Sequence, residues 1–517
     1  MALFPSRKGA AAAAHGNQHL ESGPSSEKNR DVKAHDTEVV APTGEAISQN
    51  YQLGVKRVEA AASVWSTWHL ASAYAIIWLI YFVTSIQETV TRTMSPFVTS
   101  SFELHGLTPT VSVVSSIVGG VSKLPLAKIL DTWGRPQGMS LSLCFWVLGF
   151  IMMAACKNVE TYAAAQVFST VGSQAWGQKR AVAAGLVPDV SHKAITLQSV
   201  KRYLLEIDLV GIILLAAGMA LFLLPFNIYS YQSQGWRSPM IICMIVFGAL
   251  LVAIFVLYEK FLAPVTFIPV RLLSDRTVFF AGVMLLLVFF NSGVWGSYFY
   301  SMLMVVWNQS VTTSTYISNI YRVGSCFAAL VIGLFIRWSG RFRWVAMFYG
   351  LPLMILGVGL MIKFRQSYSD IGYVIMTQIF VAFAGGPLTV SGEIAMMAPS
   401  DHQHVAVIMA ILDLFGSVGS ALGSTVSAAI WTSVFPAALR KYLPATAPIE
   451  TIYDSLVTQL SYPVGSPIRN GIMHAYGDAQ RYMLITTVSL LGGALFCTFM
   501  WRDIKVKEIK QVVGNVV

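Results

Sequence analysis

Beyond about residue 68 the chain alternates long apolar runs with short polar connections. The runs cover 71–90, 110–130, 139–155, 162–177, 208–228, 239–258, 278–302, 315–336, 344–362, 371–387, 405–435 and 482–501, twelve in all. Most lie near the ~20 residues that cross a hydrocarbon core. Runs this long and this uniformly apolar predict helices rather than barrel strands. One run is irregular: 162–177, YAAAQVFSTVGSQAWG, is short and weakly apolar. It would span about 24 Å as a helix, and it precedes the long polar connection 178–207.

Composition agrees with the pattern. The 517 residues are 55% hydrophobic and 12% charged, with mean hydropathy +0.61. A soluble domain carries roughly twice that charge fraction, so the partner to expect is a lipid bilayer. The net charge of +10 is a membrane signature rather than a nucleic-acid one, because the basic residues fall in short turns between apolar runs. Cys144, Cys156, Cys243, Cys326 and Cys497 are scattered without metal-ligand spacing, which predicts small buried hydrophobes and no disulfide framework. Residues 1–68 are polar and aperiodic, and read as a disordered tail.

Orientation follows from Lys and Arg. Connections after runs two, four, six and eight, and the tail 502–517, are rich in them, while the alternate connections are poor. The positive-inside rule then predicts both termini in the cytoplasm. The opposite face holds one long loop, 436–480, and the sequon at Asn308, a possible glycosylation site.

Two charged glycine turns stand out, Asp131-Thr-Trp-Gly134-Arg135 and Arg337-Trp-Ser-Gly340-Arg341. Glycine permits the tight reversal, and one such turn in each chain half is the pattern of a repeated transporter. Their expected role is gating, with topogenic anchoring as the simpler alternative. Glu88, Arg322, Glu393 and Asp413 fall in or at the ends of apolar runs, where ionisable groups are costly and commonly functional. Arg322 is expected to pair with Asp413 or to meet an anionic substrate. Glycines and serines at four-residue spacing from Gly416 to Ser427 predict close helix packing. His402 and His404 read as surface residues, and no P-loop, nucleophile elbow or zinc spacing appears, so an enzyme is not expected.

The first turn resembles the major facilitator signature G-x-x-x-D-[RK]-x-G-R-[RK], with Ala127, Thr132 and Pro136 departing from it. Longer stretches are similar to the fungal siderophore–iron transporters: LDTWGRPQG, NVETYAAAQVF, FNIYSYQSQGWRSPMIICMIVFG, YISNIYRVGSCF, HQHVAVIMAILDLFGSVG and LSYPVGSPIRNGIMHAYGDAQRYM among them. The resemblance implies an all-α polytopic membrane protein of the major facilitator fold. It implies import of a ferric hydroxamate siderophore by proton symport, with no protein cofactor or metal site because the iron arrives chelated. Buried acids among Glu88, Glu393 and Asp413 would be proton carriers. Tyr476, Asp478, Arg481 and Tyr482 would capture substrate at the external mouth. A monomer in the plasma membrane, or in endosomal vesicles, is expected.

The family has fourteen helices where twelve are counted here. Tyr162 to Ser173 runs almost directly into Trp176-Gly-Gln-Lys179-Arg180, which resembles the segment closing the family's sixth helix. The end of helix four, helix five and most of helix six are thus expected to be missing. The expected parts are an incomplete amino-terminal bundle at 69–177, a cytoplasmic loop at 178–207, a linking pair with its loop at 208–277 and a carboxy-terminal bundle at 278–501. The alternatives are a drug or toxin exporter on the same fold, and a non-transporting remnant.

Overall fold

The computed structural model describes residues 67–132, 135–182, 208–232, 234–263, 273–399 and 405–505. The expected tail, most of the loop 178–207, His402 and His404 lie outside them. Among the described residues all regular structure is helical: α1 Thr67–Ser101, α2 Thr108–Thr132, α3 Arg135–Ala155 and α4 Val159–Val182. A linking pair follows, α5 Leu209–Ile228 and α6 Pro239–Phe261. The carboxy-terminal group comprises α7 Arg276–Gly296, α8 Phe299–Val306, α9 Val311–Ser339, α10 Phe342–Phe364, α11 Ile371–Met397 and α12 Val405–Tyr442. Two short helices, α13 Ile449–Asp454 and α14 Leu456–Ser461, precede α15 Pro467–Phe499.

A helix occupies each of the twelve apolar runs. By length and apolarity, eight spans among the described residues qualify as membrane-crossing, and Ser140–Ala155 is a shorter apolar helix. Their lipid side is visible in α9, where Tyr316, Leu330, Leu334 and Trp338 are each about 70% exposed. Start signals are local. Asp275, Ser310, Asp370 and Ser466 cap α7, α9, α11 and α15, each side chain accepting from a backbone N–H of the first turn.

The long α12 is central because its small residues let two neighbours approach. A Cβ on Gly419 or Gly423 would strike the Leu286 or Phe290 backbone of α7, and one on Gly120 of α2 would strike Ser417. These are the close approaches that four-residue spacing predicts.

The segment 436–480 is not the loop expected from its polarity. α12 runs through Pro436 to Tyr442, and α15 begins at Pro467, 15 residues before the apolar run. The polar residues there make internal contacts. Arg469, 1% exposed, donates to Met304 O and Val305 O and so caps the end of α8. Arg365, fully buried, donates to Trp295 O at the end of α7 (2.7 Å) and lies 3.9 Å from the Phe299 ring centre. Each guanidinium meets the negative end of a helix dipole. Burial pushes Arg365 down to about 9, so it remains charged at neutral pH.

Two ends of the bundle can be distinguished. The lid end carries α13 and α14; the turn end carries Gly340.

Candidate translocation site between the helix groups

Two ion pairs join the amino-terminal helices to the carboxy-terminal group within the apolar layer. Lys123 of α2 meets Asp413 of α12 at 3.1 Å, nearer the turn end. Glu88 of α1 meets Arg322 of α9 at 3.0 Å, near the middle of both helices. Arg92, one turn along α1, is electrostatically coupled to both members of the second pair. The partners differ from the expectation that Arg322 pairs with Asp413. The physical reason is helix adjacency: α12 packs on α2 along the Gly120–Ser417 contact, while α9 faces α1. Lys123 is a partner that the sequence marks only as a lysine inside an apolar run.

Each pair holds a carboxylate whose protonation would abolish its charge attraction across the two groups. Lys123 is 11% exposed and Asp413 41%; Arg322 and Glu88 are 33% and 45% exposed. Neither pair is sealed in the core. Glu393 is half-buried near the turn end of α11 and belongs to neither pair.

At the lid end the two groups are joined by buried polar contacts. Tyr298 donates to Gly106 O at 2.8 Å, and Leu456 N donates to Ser100 Oγ at 3.0 Å. Tyr231 of the linking pair donates to Asp454 at 3.4 Å. Behind them Tyr298, Trp431 and Phe435 stack with centroids 3.9 Å apart at each step. Tyr476 completes this cluster edge-on and donates to Gln459 Oε1 at 2.8 Å.

The four capture candidates therefore separate. Tyr476 has no exposed surface, contrary to the expected place at the mouth, because α15 is already helical there and turns it into the aromatic core. Asp478 accepts from Tyr442 at 3.0 Å and, with Arg481, Lys363, Ser367 and His474, lines a cleft of about 550 Å³. Tyr482 is 57% exposed on the outer surface. Asn308 is exposed in the α8–α9 connection with φ at 50°.

Of the two charged turns, the described residues cover the second. Gly134 lies outside the described residues, as do the side chains of Asp131 and Arg135. Gly340 takes φ of 75° and caps α9 by donating to Ile336 O at 2.7 Å, as glycine's freedom predicts. Arg337 and Arg341 are exposed, and Arg341 is 6.0 Å from the Trp344 ring centre. Arg343 donates to Phe499 O at the end of α15, so this turn is tied within its own group. Among the described residues no three His, Cys, Asp or Glu side chains gather as metal ligands.

A family model described as the fungal trichothecene efflux pump (TRI12) matches residues 190–446. The MFS siderochrome iron transporter 1 of Ajellomyces capsulatus is 45% identical over 545 aligned positions, covering 91% of this chain and 93% of that protein. The MFS siderochrome iron transporter D of Aspergillus fumigatus is 36% identical, with 92% and 91% covered. The siderophore iron transporter mirB of Emericella nidulans is 34% identical, with 95% and 94% covered. A solved bacterial homologue of the human lysosomal transporter Spinster, inward-facing and occupied, matches with a TM-score of 0.52 at 13% identity, covering 84% of this chain and 97% of that one. That likeness concerns the fold alone.

The first of these alignments is longer than the part of this chain that it covers. Ninety-one per cent of 517 residues is about 470, so about 75 of the 545 positions hold a residue of the relative and none of this chain. With helices in place of every apolar run, a facilitator architecture and relatives alike over nearly their whole length, the chain belongs to the siderochrome iron transporters of the major facilitator superfamily.

Proposed function

We propose that this protein imports ferric hydroxamate siderophores, driven by protons moving in the same direction. The carrying observation is the likeness to siderochrome iron transporters over more than nine-tenths of the chain. Geometry adds two ion pairs, Glu88–Arg322 and Lys123–Asp413, that bridge the helix groups at different depths. A proton on either carboxylate removes the Coulomb attraction holding one level of the seam, and so couples proton binding to rocking of one group against the other. The positive-inside bias supports a lid end that faces outside and termini in the cytoplasm, and uptake is proposed to take place at the plasma membrane. Substrate then approaches from the lid end, where Asp478, Arg481 and Tyr482 offer polar and aromatic contacts. The carrier needs no cofactor of its own and works as a monomer.

Two observations favour other readings. The efflux-pump family model favours export, and the roughly 75 missing positions favour a protein that binds without transporting. Uptake of radiolabelled ferric hydroxamate siderophore by yeast lacking its own carriers separates the three. Import gives accumulation abolished by a protonophore. Export gives faster loss from preloaded cells. The remnant reading gives surface binding that does not rise with time.

A further inference from the structure

The imidazole of His105 is fully buried in the short turn His105–Leu107, between α1 and α2 at the lid end. Its Nδ1 lies 3.3 Å from Ser100 Oγ. That hydroxyl donates to Pro96 O (2.6 Å) and accepts from Leu456 N (3.0 Å), so its contact with the ring is as an acceptor. Nδ1 therefore carries the hydrogen, and Nε2 is the bare nitrogen. Nε2 is buried and has no hydrogen-bond partner among the described residues. The next residue, Gly106, is held between the linking pair and the carboxy-terminal group. A Cβ there would lie 2.5 Å from the Tyr231 hydroxyl and 2.7 Å from that of Tyr453, and Gly106 O accepts from Tyr298.

We infer that His105 is a proton-released latch on the gate at the lid end: the gate shuts over neutral imidazole, and a proton on Nε2 opens it. Protonation would place a new N–H and a full charge where no acceptor awaits them. The shut gate tolerates only the neutral ring. Opening exposes the turn and lets water solvate the cation. This goes beyond the carrier reading and depends on it only for which face meets the acid.

The surrounding groups fix the sign. The ring faces Tyr298 edge-on with centroids 6.0 Å apart, Ser100 comes from α1, and Glu103 precedes the turn. Tyr231, Tyr453, Asp454 and Glu450 approach from the linking pair and α13. Burial pushes His105 from 6.5 down to about 4, so acidification toward pH 5 favours the released state. Asp454 works in the opposite direction. Burial foremost, with Glu450 and Glu103 beside it, pushes its carboxyl up to about 6, and acid favours the shut state there.

Between pH 7 and pH 5 the histidine shifts the balance toward open by about twentyfold. Asp454 opposes this by at most about tenfold, and by about threefold after screening of a half-buried group. The net effect is about a two- to sevenfold gain in open gate.

Spin labels at Ser101→Cys and Val457→Cys, with the five native cysteines replaced, report the gate distance in the full chain in nanodiscs. The long-distance population is expected to rise severalfold from pH 7 to pH 5, to fall or stay level in His105→Asn, and to rise about twentyfold in Asp454→Asn. A rise in His105→Asn equal to that of the unsubstituted gate overturns the latch. If His105→Asn does not fold, Asp454→Asn decides alone: a pH-independent distance in that variant also overturns it. The reading needs neither substrate nor transport, so its failure leaves the uptake experiment to judge the carrier independently.

Discussion

Asp413→Asn asks whether the seam between α2 and α12 is held by charge. The Lys123 ammonium lies 3.1 Å from the carboxylate and is 11% exposed, against 41% for Asp413. Unit charges about 4 Å apart attract by about 4 kcal/mol at an effective dielectric of about 20. Exposure of Asp413 reduces the interaction to about 1–3 kcal/mol. The amide keeps the shape and removes the charge. A double-mutant cycle with Lys123→Met, read by thermal unfolding in detergent, is expected to return a coupling of about 1–3 kcal/mol. In transport, each single substitution is expected to lower initial uptake by about tenfold, the equivalent of 1.4 kcal/mol. The exchange Lys123→Asp with Asp413→Lys should recover part of that loss. A coupling below about 0.3 kcal/mol, within the scatter of independent sites, would refute the joint.

Glu88→Gln removes the charge that meets Arg322 at 3.0 Å and should lower initial uptake; uptake equal to that of the unsubstituted carrier would show the pair to be dispensable. Tyr476→Phe removes the hydroxyl that Gln459 accepts inside the aromatic cluster and should cost about 1–2 kcal/mol in thermal unfolding. Tyr476→Ala should cost about 3–5 kcal/mol, and equal losses for the two would contradict an interior role. Arg365→Met keeps much of the volume while removing a buried cation and the cap on α7. It should be less destabilising than Arg365→Ala, with the melting temperatures giving the order.

The positions of the helices were legible because lipid demands long apolar runs, and the packing role of α12 because glycine and serine recur every fourth residue. The ion-pair partners were not. Glu88 and Arg322 lie 234 residues apart, and only the adjacency of α1 and α9 decides that they meet. Lys123 is legible as a lysine inside the apolar run 110–130, which also holds Lys128. The lid end has the polarity of a loop and the structure of packed helices for a physical reason. Arg469, Gln459 and Tyr476 look solvent-facing by type, yet they satisfy one another and the end of α8 inside the protein. His105 left no mark in the sequence. Its character comes from a neighbour in α1 and from a gate supplied by helices far along the chain.

Proton-driven import is tested by accumulation in proteoliposomes under an imposed pH gradient. With the lid end outward and the outside acid, labelled ferric hydroxamate siderophore is predicted to rise inside above its external concentration and to fall back when the gradient collapses. Equilibration that ignores the gradient, or accumulation only when the inside is acid, would contradict the account.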